Sequence, residues 1–212
     1  MRRVAIGIGV LLLVLSGALL SVFGRLWHLW FPSYRPPVMS TLEAKARRFC
    51  EQKGAPFPLR QPSVEIYKAR RVLRLYDGMR LLAEFPIALG SRPEGDKERE
   101  GDRKTPEGSF YVCEKHYSPR FYLFLGLSYP APDDAERGKL RGLIDESQYR
   151  AILQAHQEGR CPPWDTPLGG AIGIHGGGTH RDWTLGCIAL DNAHIELLYV
   201  LLPVGTKVQI YP

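Results

Sequence analysis

At 212 residues the chain has room for one globular domain plus an appendage, with a core of useful size. Its 44% hydrophobic and 24% charged residues are ordinary for a folded protein. The net charge of +6 and pI near 9.2 point to anionic surroundings, such as a membrane surface, a cell-wall polymer or nucleic acid. No basic helix interleaved with aromatics and no zinc-finger spacing is present, which argues against nucleic acid.

Arg2 and Arg3 precede an uncharged run from Val4 to Gly24. About 20 apolar residues suffice to span a bilayer core. A cleaved signal peptide has a shorter apolar region and a small-residue cleavage site, and Ala18-Leu19-Leu20 is a poor one. Residues 1–24 are therefore expected to be an uncleaved signal anchor in an inner membrane, exporting the rest of the chain. Trp27, Trp30 and Phe31 follow where interfacial aromatics belong. Residues 25–61 read as a juxtamembrane linker, since Pro32, Pro36, Pro37, Pro56 and Pro58 oppose regular structure. Within it, Ser40 with Glu43 offers a capping box for a helix to about Gln52, closed by Gly54.

The folded domain is expected over residues 62–212. Alternation from Val64 to Tyr67 and from Val72 to Tyr76, then Asp77-Gly78 and a run from Met79 to Leu89, predicts a β-meander. Pro86 points to an edge strand or bulge. Residues 91–104 are charged with mixed sign and read as a solvated loop. The turn Thr105-Pro106-Glu107-Gly108 delivers a strand from Ser109 to Cys113, and Tyr117 to Tyr129 contains another. Asp145 with Gln148 caps an amphipathic helix to Gln157, which makes His156 a packing residue. Asp191 or Asn192 caps a last helix with Ile195, Leu198, Tyr199 and Leu202 inward. His194 reads as surface, and a final strand runs from Val204 to Tyr211.

The cysteines are Cys50, Cys113, Cys161 and Cys187, with no CxxC pair to support a structural zinc site. A Cys113–Cys161 disulfide is open in an oxidising compartment, and buried free thiols are the alternative.

The chemistry gathers in residues 170–190, GAIGIHGGGTHRDWTLGCIAL. Ala171–Ile174 and Ile188–Leu190 read as short buried strands, and their pairing would bring His175 and Cys187 to the same end of a sheet. A thiol attacks as its thiolate, and a neighbouring imidazole is the usual means of making one. Gly186 lets the backbone turn tightly and expose amides to an oxyanion, and Thr184 can hold that turn. Gly176 to Gly178 allow close backbone approach, and a carbonyl there can orient the imidazole.

The run IHGGGTHRDWTLGCIAL with VGTKVQI, and upstream ALG and GDRKTPEGSFYV in the same order, resembles the L,D-transpeptidase catalytic domain of the YkuD-type family. The resemblance covers about residues 62–212. It implies a mostly β (α+β) fold, a mixed sheet or β-sandwich with peripheral helices, here preceded by one transmembrane helix. It also implies a peptidoglycan transpeptidase: Cys187 attacks the carbonyl of the third residue of a stem tetrapeptide, D-alanine leaves, and the acyl group passes to an amine on a neighbouring stem. His175 is the base, the Gly176 carbonyl orients it, and amides near Gly186 and Cys187 form the oxyanion hole. Thr184, Gly186 and Trp183 are the expected substrate-binding residues, with Trp183 the readiest to pack, and His180, Arg181 and Asp182 share its loop. No metal or other cofactor is expected, and the partners are stem peptides and the inner membrane. Leu185 stands where many members carry histidine, and Ala189 where many carry arginine or asparagine. Hydrolysis with water as acceptor, and a non-catalytic wall-binding module, are the alternatives.

Overall fold

The computed structural model describes residues 35–212, so the apolar run expected to span a membrane lies outside the described residues. Among the described residues no helix is long and apolar enough to cross a membrane.

Alternation builds the first strands. Val64 and Ile66 of β1 (Pro62–Tyr67) face Leu75 and Leu73 of antiparallel β2 (Val72–Asp77), and all four are buried. Each such side chain contributes roughly 2 kcal/mol by leaving water. β3 (Arg80–Pro86) pairs with β2 through a register shift at Leu75/Tyr76. It is shorter than the expected run to Leu89, because Pro86 has no N–H to continue a ladder. β4 (Gly108–Ser118) and β5 (Tyr122–Leu127) form a hairpin, with β4 extending five residues beyond the expected Cys113. β6 (Gly173–His175) and β7 (Ile188–Ala189) follow, and β8 (Lys207–Tyr211) inserts between β1, in parallel, and β4, antiparallel.

The order is β3-β2-β1-β8-β4-β5-β6-β7, one continuous mixed sheet rather than the two stacked sheets of a sandwich. The ends of that order meet. Ala88, just past β3, donates to the Ala189 carbonyl at 2.9 Å and accepts from the Ala189 amide at 2.8 Å. Gly90 bridges Thr184 in parallel, with the Ser91 amide on the Thr184 carbonyl at 3.0 Å and the Thr184 amide on the Leu89 carbonyl at 3.1 Å. The sheet has curled until its edges cover each other, which removes exposed strand edges.

Four helices lie among the described residues. α1 (Met39–Lys53) ends at Gly54 in the left-handed conformation, φ 59°, as expected. Its start differs: Val38 occupies the N-cap with no side-chain bond, and Ser40 lies inside the first turn. This phase aligns Leu42, Ala46 and Cys50, four residues apart, on one buried stripe. The stripe joins the main core and packs on α4 (Asn192–Leu201), so α1 is part of the folded body rather than a free spacer. α2 (Pro132–Leu140) is absent from the sequence reading. Pro132 sits in its first turn, and Asp134 accepts from the Ala131 amide at 2.8 Å. α3 (Glu146–Gln157) carries the expected reciprocal cap, with Asp145 and Gln148 bonding each other's amides at 2.8 and 3.1 Å. A disulfide joins Cys113 of β4 to Cys161 after α3, while Cys50 is free and buried. His156 packs as expected, its ring nitrogen 2.9 Å from the Pro130 carbonyl. His194 is not a surface residue: it is half-buried, with its ring 5.0 Å from Phe85.

Candidate active site

β6 and β7 pair in parallel, with Ile174 opposite Ile188 and His175 opposite Ala189. Ile174 and Ile188 point into the core, so His175 lies on the other face of the sheet beside Phe124. One residue upstream in this register, Cys187 stands opposite Gly173, whose face is that of His175. The pairing therefore brings thiol and imidazole to one face, at the edge where the sheet closes.

His175 is fully buried. Its Nδ1 lies 2.6 Å from the Gly176 carbonyl, which can only accept, so Nδ1 carries the proton and Nε2 the lone pair. Nε2 is buried without a partner among the described residues. Aromatic rings enclose the imidazole: Phe121 at 4.4 Å, Trp183 edge-on at 5.5 Å and Phe124 at 6.3 Å. This burial pushes the imidazole down to about 4, against a partial opposing effect of the Gly176 bond. Burial likewise pushes the Cys187 thiol up to about 11, with a backbone contact at Gly173 and the Lys97 charge opposing. Both shifts favour a neutral thiol and a neutral imidazole at rest, with the Nε2 lone pair unpartnered among the described residues.

Cys187 and His175 line one cleft of about 370 Å³, with Ala171, Trp183, Thr184 and Leu185 among its walls. The thiol approaches the Ala171 carbonyl at 3.5 Å. The turn before the thiol is held from inside: Thr184 Oγ1 accepts from the Gly186 amide at 3.1 Å and donates to the Cys187 carbonyl at 2.7 Å. Gly186 has φ 143°, and a Cβ there would lie 2.8 Å from the Lys104 carbonyl, so the turn needs glycine. The Gly186 amide is thus engaged by Thr184 rather than aimed at an oxyanion, which leaves the amide of Cys187 itself as the candidate donor. Trp183 packs against His175, with its indole N–H on the Gly178 carbonyl at 3.1 Å. Gly177 is held by Asn192, whose Oδ1 accepts its amide at 3.0 Å; that side chain serves the glycine loop.

Two features escape a linear reading. Asp182 binds the guanidinium of Arg71 through Nε at 3.0 Å and Nη2 at 2.8 Å, and accepts the Leu89 amide at 2.8 Å. It ties the loop between His175 and Cys187 to the turn just before β2 and to the segment that follows β3. These partners lie 111 and 93 residues away, so nothing local announces them. The charged segment 91–104 is also not simply solvated. Lys97 is 2% exposed, and its Nζ donates to Asp102 at 2.8 Å and to the Arg99 carbonyl at 2.9 Å. Lys97 and Glu100 reach the wall of the thiol cleft.

The L,D-transpeptidase catalytic domain (YkuD) family matches residues 61–210. The L,D-transpeptidase candidate YafK of Escherichia coli (strain K12) is 33% identical over 81 residues, 35% of this chain and 33% of that protein. The chain thus spans about a third of the length of this curated relative. Among solved structures, the helical cell shape determining protein Pgp2 of Campylobacter jejuni is 23% identical with a TM-score of 0.49, covering 80% of this chain and 55% of that one. The L,D-transpeptidase of Xylanimonas cellulosilytica DSM 15894 is 17% identical with a TM-score of 0.43, covering 74% and 63%. With the matched segment containing the curled sheet from β1 to β8, save the last residue of β8, and both His175 and Cys187, the chain belongs to the YkuD family of L,D-transpeptidase catalytic domains.

Proposed function

We propose that this protein is a peptidoglycan L,D-transpeptidase using Cys187 as nucleophile and His175 as general base. The observation that carries the reading is the shared cleft, in which an imidazole anchored through Nδ1 keeps Nε2 unpartnered on the face that holds the thiol. As the sulfur attacks the carbonyl of the third residue of a stem tetrapeptide, its proton moves to Nε2. The Gly176 carbonyl steadies the imidazolium, and the Cys187 amide donates to the oxyanion. Collapse breaks the bond to D-alanine, whose nitrogen takes the proton from Nε2, and leaves a thioester on Cys187. An amine from a neighbouring stem then attacks, gives its proton to His175, and releases the sulfur as thiol.

Keeping the resting pair neutral suits this order. A charged thiolate–imidazolium pair would have to be desolvated in the pocket, whereas proton transfer during attack creates charge only where donors wait. We place the reaction outside the cytoplasm, with residues 1–24 as the inner-membrane anchor. The apolar run from Val4 to Gly24 and the Cys113–Cys161 disulfide support that placement.

Product analysis tests the reaction. Incubation with a stem tetrapeptide and an amine-bearing stem should give a cross-linked product by mass spectrometry, lost in Cys187→Ala. Release of D-alanine without a cross-link would replace transfer with hydrolysis.

A further inference from the structure

The segment 91–104 sorts its charges as it folds. Asp102 turns inward, taking Lys97 Nζ at 2.8 Å and the amides of Glu98, Arg99 and Lys104 at 2.8, 3.1 and 3.1 Å. Asp96 accepts the Glu107 amide and pairs with Arg137, both at 2.8 Å. Glu98 pairs with Arg141 at 2.9 Å. Among the described residues, the side chains of Arg92, Arg99 and Lys104 have no carboxylate partner. These three, with Arg141, line an open groove of about 440 Å³ whose two acids, Glu98 and Asp102, are already paired.

The groove is built on the back of the catalytic turn. Arg103 takes the left-handed conformation, φ 61°, and presents its carbonyl to the open side of Gly90. The Lys104 carbonyl packs against Gly186, the residue before the thiol. Lys97, whose partner Asp102 organises the segment, also reaches the wall of the thiol cleft. One ordered loop therefore holds the nucleophile's turn on one side and displays unpaired cations on the other. A loop whose only task was solubility would not need four bonds to a single carboxylate.

We propose that this groove is a second binding site, for the free carboxylates of a peptide stem lying beside the one at Cys187; it rests on the peptidoglycan reading of the site. The cations supply charge-assisted donors, with the guanidinium groups suited to two-point contact with carboxylate. The Glu98–Arg141 pair is half-exposed, so an incoming carboxylate can compete for Arg141.

The test is direct binding, with the full chain carrying Cys187→Ala in detergent so that no turnover intervenes. A synthetic stem tripeptide with free carboxylates, and its carboxamide counterpart, are titrated by calorimetry. A groove variant, Arg92→Gln with Arg99→Gln and Lys104→Gln, is compared with the same protein lacking these changes. The free acid should bind more tightly than the carboxamide, and the groove variant should lose about tenfold in affinity as three exposed charge contacts vanish. Added salt should erase both differences. Equal affinity for acid and carboxamide, or an unchanged affinity in the variant, would overturn the proposal. So would binding confined to inorganic phosphate or phosphatidylglycerol vesicles, since the ligand would then be a phosphate and not a stem. Because Cys187 is absent, the outcome is independent of whether an acyl-enzyme forms, which is read separately on the intact thiol.

Discussion

A thiol pushed up to about 11 and an imidazole pushed down to about 4 make the two central residues poor ions at neutral pH. Reactivity should therefore track the small thiolate fraction. Modification of Cys187 by iodoacetamide should rise about tenfold per pH unit between pH 7 and 9 without a plateau. A plateau near neutrality would reveal a preformed thiolate. Cys50, on the buried stripe that α1 turns to the core, provides the unreactive internal reference. The histidine also couples stability to pH. Its folded value lies below the ordinary 6.5, so between pH 6.5 and 4 the unfolded chain binds a proton that the folded chain excludes. Stability must then fall as pH drops through that window, by about 3 kcal/mol across it. Urea unfolding at several pH values should show this slope, and His175→Gln should flatten it.

Between these residues, the loop depends on contacts made far from its own sequence. Replacing Asp182 by alanine removes two bonds to the Arg71 guanidinium and strands the Leu89 amide. The expected cost is about 1–3 kcal/mol in urea unfolding. Arg71→Lys, which keeps charge but loses the two-pronged geometry, should cost less. This clamp marks where sequence reading ran short. Hairpins, the cap on α3, the closing glycine of α1 and the His175–Cys187 pairing were legible because each is written in spacing over a few residues. Asp182 reads as one more loop charge until the curled sheet brings Arg71 beside it. Lys97 and Asp102 look like members of a solvated run, since burial of an ion pair is a property of the fold and not of composition. α2 went unseen because PDDAERGKL has almost no apolar stripe; it is fixed by Pro132, Asp134 and the small cluster of Ala135, Ile144, Ile152 and Leu168. The bond from the Gly186 amide to Thr184 Oγ1 is likewise a matter of turn geometry that the residue types alone do not specify.

At the scale of the whole molecule, closure of the sheet puts the site at a seam. β7 is held by β6 on one side and by Ala88 on the other, so Cys187 follows a loop but leads directly into an anchored strand. β4, which only β5 separates from β6, is braced by the Cys113–Cys161 bond, which closes a span of 48 residues carrying α2 and α3. Losing that bond through Cys113→Ser with Cys161→Ser should lower stability by up to about 4 kcal/mol on chain-entropy grounds, visible as a lower urea midpoint. The same double change leaves the thiol cleft chemically intact, so acylation at neutral pH should survive it below the new midpoint. The most direct test of the central claim is the intact mass of the protein after brief exposure to a stem tetrapeptide. The account predicts an adduct on Cys187 equal to the tetrapeptide less D-alanine, strong in the native chain, sharply reduced in His175→Gln and absent in Cys187→Ala. An unmodified Cys187 that nonetheless alkylates normally with iodoacetamide would contradict it.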